Sequence, residues 1–232
     1  MVSSNDIMQT FVFLLLLAAQ PGGDLIHRYV EAIGGEEALR AVRTRVTTGE
    51  FNNGRGLVTP FRIVEQTPNQ RVTLIGTHPL DSNEGSGRGF DGVAGWDKNF
   101  IGTGLRTIEG QELADLQREA DLLRPLHLLD ACQTVTVDTT AERSVAVCSL
   151  PSGARSRLHF DRASGLLVEQ ASPDMIRPGT IRVLFEDYRM VGGIRLPFRT
   201  RVILPGATIS YTVASVRHNE PVQDAVFRRP VR

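Results

Sequence analysis

The spacing of apolar positions changes period along the chain. From Asp24 onward, Leu25, Ile26, Tyr29, Val30 and Ile33 recur at helical spacing, with Asp24 available as a cap and Gly34 as a left-handed stop. One face of that helix must be buried. A second short helix follows over about 36–42, and the period then falls to two. Strands are predicted over about 43–51, 57–65, 71–76, 88–90 and 95–99, with turns at Asn53-Gly54, Pro68-Asn69 and Asp91-Gly92. Residues 109–130 interrupt the alternation with a helix in which Leu113, Leu116, Ala120 and Leu123 form one stripe and Pro125 starts a new turn. Strands resume over about 132–137, 145–150, 155–160, 166–170, 181–190, 194–204 and 208–218.

In the segment 194–204, Ile194, Leu196, Phe198, Val202 and Leu204 share one face, and Arg195, Arg199 and Arg201 share the other. Such a strand is apolar on one side and wet on the other. A long run of such strands must curl around its own core or be plugged by helices. The expected fold class is therefore α+β, with a curved antiparallel sheet forming an incomplete, open barrel and helices packed in its mouth. The 232 residues, 41% hydrophobic and 22% charged, fit one domain over 24–232 with a substantial core. A formal net charge of zero gives no long-range field for nucleic acid, which is not expected as a partner.

The first 23 residues read as an address. Phe11 opens a short apolar run ended by Ala18 and Ala19, too short for a comfortable span and matching the core of a secretory signal, with cleavage near Ala19. Its leading segment departs from the pattern, carrying Asp6 and no Lys or Arg. Export to the periplasm or beyond gives the two cysteines a role. Segments 134–137 and 145–150 flank a polar turn and should form a hairpin. If Val135 lies opposite Val145, Cys132 and Cys148 face each other at disulfide distance.

Catalytic chemistry finds little footing. The five histidines His27, His78, His127, His159 and His218 are scattered, without metal-ligand spacing, so no metal or cofactor is expected. No Gly-x-Ser-x-Gly elbow is present, and Glu186 and Asp187, adjacent on a strand, point to opposite faces. A hydrolase lacks a convergent nucleophile and base.

Three stretches point further. Phe185 to Phe198 turns back at Gly192-Gly193 and leads on through Val216 to Asn219 and Val226 to Pro230; residues 28–39 carry Gly34-Gly35; and Phe90 to Trp96 carries Asp91-Gly92 and Gly95. Taken in order, from about Asp24 to Pro230, these resemble the LolA/LolB-like superfamily of periplasmic lipoprotein-sorting and lipid-binding proteins. The resemblance implies a half-barrel whose helices lie over a hydrophobic cavity and move aside for acyl chains. The expected function is an exported, monomeric carrier or sensor, not an enzyme, that binds a lipid or lipoprotein acyl chain and meets envelope membrane proteins. The expected cleft residues are Val72, Leu74, Trp96, Leu116, Leu123, Leu196 and Phe198. Trp96 and the leucine stripe have core packing as their competing fate. The competing function is an accessory envelope module with a filled core, and an apolar cavity of several hundred Å³ would separate the two.

Overall fold

The computed structural model describes residues 22–99, 104–173 and 178–231, so the expected leader and its cleavage point lie outside the described residues. Helices α1 (Gly23–Ile33) and α2 (Glu36–Ala41) open the chain. Six strands follow: β1 (Thr44–Asn52), β2 (Val58–Gln66), β3 (Gln70–Ile75), β4 (Ser86–Phe90), β5 (Gly95–Lys98) and β6 (Leu105–Ile108). Helix α3 (Gly110–Ala120) and a 3₁₀ turn, Arg124–Leu126, come next. Seven more strands complete the sheet: β7 (Thr134–Thr139), β8 (Arg143–Ser149), β9 (Arg155–Asp161), β10 (Leu167–Pro173), β11 (Thr180–Val191), β12 (Ile194–Leu204) and β13 (Ala207–His218). A last 3₁₀ turn, Asp224–Phe227, lies near the C-terminus.

All thirteen strands form one antiparallel sheet, ordered β6-β5-β4-β3-β2-β1-β13-β12-β11-β10-β9-β8-β7. It is two meanders joined where β1 pairs with β13, and its two end strands, β6 and β7, leave it unclosed. The expected open, curved sheet with helices is what the chain forms. Gly192 and Gly193 make the β11–β12 turn, both at positive φ, as a two-residue hairpin requires.

Helices cover one face, the inner one, in two places. Tyr29, Val30 and Ile33 of α1 pack on Ala146, Leu158, Phe160, Leu167 and Ile194. Leu116 and Ala120 of α3 pack on Phe90 and Ile108. Gly95 lets α3 come close, since a Cβ there would sit 2.9 Å from Leu116 Cδ2. The helix expected over 109–130 ends at Ala120. The Asp121 carboxylate accepts from the Leu123 backbone N–H at 2.9 Å, and the chain re-enters as the 3₁₀ turn with Pro125 inside it. The outer face has its own cover, because Phe227 of the C-terminal turn packs with Val46, Val64, Val72 and Trp96.

The hairpin β7–β8 forms in a different register from the expected one. Val135 lies opposite Cys148 and Val137 opposite Ala146, so Val145 and Val147 belong to the other face. The reason is space: Ala146 is fully buried in the cluster beneath α1, where a valine would crowd it. The disulfide nevertheless forms between Cys132 and Cys148, with Cα atoms 5.3 Å apart, because Cys132 precedes β7 and is not bound by its ladder. It ties the segment after the 3₁₀ turn to the sheet. Closing a loop of 16 residues stabilises by about 3 kcal/mol on the chain-entropy model. Urea unfolding with and without reductant should show a loss of about that size, and equal midpoints would refute it.

Candidate functional site

The register sorts side chains onto the two faces without ambiguity between β1 and β5. Val46, Val64, Val72, Gly89 and Trp96 form one cross-strand row. The adjacent row, on the opposite face, reads Arg45, Glu65, Arg71, Phe90, Gly95 and Ile108. Since Phe90, Gly95 and Ile108 lie under α3, Arg45, Glu65 and Arg71 also belong to the inner face. A charged cluster therefore sits between the two apolar helix contacts.

Glu65 is 3% exposed and is flanked by both arginines: Arg45 Nε donates to Oε2 at 2.6 Å, and Arg71 Nη1 donates to Oε1. Burial alone would raise the Glu65 carboxyl, but the fields of Arg45 and Arg71 and the hydrogen bonds they donate reverse this and hold it at about 2. A fourth charge enters from the 3₁₀ turn, where Arg124 Nη2 donates to Gln170 Oε1 at 3.0 Å. Tyr29 of α1 lies within the field of Arg124 and Arg45, and burial nonetheless pushes its hydroxyl up to about 12. Arg45 and Arg71 are enclosed by neighbouring elements yet keep 21% and 22% of their side-chain surface open. Both arginines are therefore surrounded on the inner face and still reach solvent.

Beyond this cluster the inner face turns apolar. Strands β11 to β13 run on beyond the α1 contact, and their inner-face positions include Phe198, Val202, Ile209, Tyr211 and Val213. Val202 pairs directly with Ile209. Tyr211 meets the Phe51 ring at 5.1 Å and the Phe61 ring edge-on at 5.2 Å. Val202, Ile209, Tyr211 and Val213 are only half-buried and belong to neither helix-covered cluster. They form an apolar shelf that the described helices leave free.

The seven expected cleft residues separate. Phe198 is on the inner face in line with this shelf but is itself buried, with Arg189 stacked over its ring at 4.7 Å. Leu196 and Leu123 pack against the α1 cluster, and Leu116, 2% exposed, is locked between α3 and the sheet on Phe90 and Ile108. Val72 and Trp96 are buried on the outer face under Phe227, with Leu74 packed beside them. Leu74 also borders an outer groove of about 710 Å³ with Thr48, Glu50, Arg62, His78 and Thr212. The sheet itself stands between the two sets.

Sequence reasoning missed Arg45, Glu65, Arg71 and Arg124. The available signal was charge at inward parity within the strands, where Glu65 shares the face of Phe61 and Arg71 that of Thr73. His218, opposite Arg45, joins them, and its Nε2 is buried without a hydrogen-bond partner. Burial, followed by the field of Arg45, lowers its pKa. Elsewhere the titratable groups read as structural: His127 Nδ1 meets Asp121 at 2.6 Å, Glu186 pairs with Arg199 and Arg201, and Asp187 pairs with Arg189.

No protein-family model and no curated protein sequence matches this chain. Solved structures do. A DUF1329 family protein from Desulfovibrio piger superposes with a TM-score of 0.59 at 12% identity, covering 90% of this chain and 98% of that one. A LolA superfamily protein from Nitrosomonas europaea gives 0.56 at 10% identity, over 90% and 98% of the two chains. A domain from Vibrio parahaemolyticus, described in terms of outer-membrane lipoprotein sorting, gives 0.54 at 8% identity, over 87% and 95%. The chain has the LolA-like fold over nearly its whole described length.

Proposed function

We propose that this chain is an extracytoplasmic carrier that holds the acyl chain of a lipid or lipoprotein in the hollow of the half-barrel, without catalysis. The observation that carries this reading is the shelf of Val202, Ile209, Tyr211 and Val213, which is apolar, half-buried and left free by the described helices. Soluble proteins rarely leave such a surface without an occupant. Each methylene buried there contributes about 0.8 kcal/mol, so a chain of ordinary length needs no further anchor. The disulfide is consistent with an oxidising compartment. The lipoprotein-sorting description of one structural neighbour and the LolA assignment of another support the same reading by analogy of fold.

A second reading, an envelope module acting through surface contacts, is favoured by how fully the space under α3 and around Trp96 is filled. Saturable uptake of a fluorescent fatty acid separates the two. Under the carrier reading, Val202→Asp or Ile209→Asp places a carboxylate on the shelf and should weaken uptake at least about tenfold, while the melting temperature moves little because both sites are half-buried. Wild-type protein that takes up no acyl probe would leave only the module. Leu116→Gln should unfold the protein rather than empty it, since Leu116 is core.

A further inference from the structure

We propose that the arginine floor of the hollow is an anion site that receives the head group of a single-chain amphiphile, with Arg124 and Arg45 as its principal donors and the chain lying on the shelf. The inference rests on the carrier reading and adds the class and orientation of the ligand. Three guanidinium groups, Arg45, Arg71 and Arg124, converge from β1, β3 and the 3₁₀ turn. Glu65 is shared by the first two, and it is the carboxylate buried among them. Arg124 has a neutral partner in Gln170, and among the described residues no carboxylate forms an ion pair with it. Glu119, exposed on α3, acts on it only through space.

The surplus positive charge is a cost in so enclosed a place. Burial, not fully offset by Glu119 and reinforced by Arg71, pulls the Arg124 pKa down from its ordinary value. A bound anion removes that cost, and the guanidinium fork matches the oxygens of both carboxylate and phosphate. The Tyr29 hydroxyl, kept protonated by burial, adds a neutral donor within the field of both Arg124 and Arg45. His218 Nε2, buried and unpartnered opposite Arg45, offers another polar atom at the same floor. The field of Arg71 reaches Tyr211 of the shelf, so a head group on this cluster leaves its chain an apolar path along the inner face.

Three amphiphiles with the same chain test this on the full mature protein: dodecanoate, dodecyl phosphate and dodecanol, each competing with a fluorescent fatty acid. The expected result is that at least one anionic probe binds about tenfold or more tightly than dodecanol, and the better of the two identifies the head group as carboxylate or phosphate. Arg124→Gln should abolish that preference, bringing the anionic probes down to the affinity of dodecanol. The wild-type comparison stands even if the variant fails to fold. Equal affinity for all three probes would overturn the anion site and leave the carrier reading intact. Absence of saturable binding by any probe would overturn the carrier reading and the anion site with it.

Discussion

Replacing Glu65 with Gln is expected to lower the free energy of unfolding by about 3–5 kcal/mol at pH 7, the usual cost of removing one partner from a buried ion pair. The carboxylate is 3% exposed, and the two guanidiniums it holds would be left facing each other across an amide. The pH dependence gives the prediction its sign. In the folded chain burial raises the carboxyl, and Arg45 and Arg71 outweigh burial, taking it from its ordinary 4.5 to about 2. A depressed acid contributes its full stability above the unfolded pKa, and that stability is lost as pH falls through the folded value. The gap between wild type and Glu65→Gln should therefore be widest above about pH 4.5 and should close toward pH 2, by something on the order of 3 kcal/mol. Urea titrations of both proteins at pH 7 and near pH 2.5 measure it. A gap of the same size at both pH values would show that Glu65 acts by packing and not by charge.

That ion cluster also marks where sequence reading stopped. The helix α1 was legible because Tyr29, Val30 and Ile33 repeat on one face, and the strands β11 to β13 because their alternation runs for eleven or twelve residues around a Gly-Gly turn. Strand β6 was not legible: Leu105–Ile108 has four residues and too little alternation to rise above a loop. The assignment of faces failed for a different reason. Between β1 and β5 both faces are covered, one by α3 and the other by the C-terminal segment, so an apolar residue no longer reports which way is in. Val72, Leu74 and Trp96 looked inward by hydrophobicity, whereas the inward row is Glu65 and Arg71. The outer cover comes from Phe227, 131 residues beyond Trp96, and no local pattern announces a contact of that range.

The same long-range contact predicts the second large effect. Trp96→Ala should destabilise by about 3–5 kcal/mol, the range for emptying a buried aromatic site. Trp96 is 1% exposed, and its ring lies over Gly89 on the neighbouring strand, so closely that a Cβ at Gly89 would stand 2.6 Å from the ring. Its Nε1 donates to the Phe227 carbonyl at 3.0 Å, which fastens the C-terminal turn to the outer face. Trp96→Phe separates the two contributions. It keeps most of the apolar contact but leaves that buried carbonyl without its donor, and should cost less, about 1–3 kcal/mol. Gly89→Ala attacks the same contact from below and should cost a similar amount by overpacking, because the ring has backbone on one side and Phe227 on the other. Denaturant unfolding of the three variants, with proteolysis near the C-terminus as a second readout, tests the arrangement. If the C-terminal turn is as protected in Trp96→Ala as in wild type, Trp96 is packing alone and does not hold the turn in place.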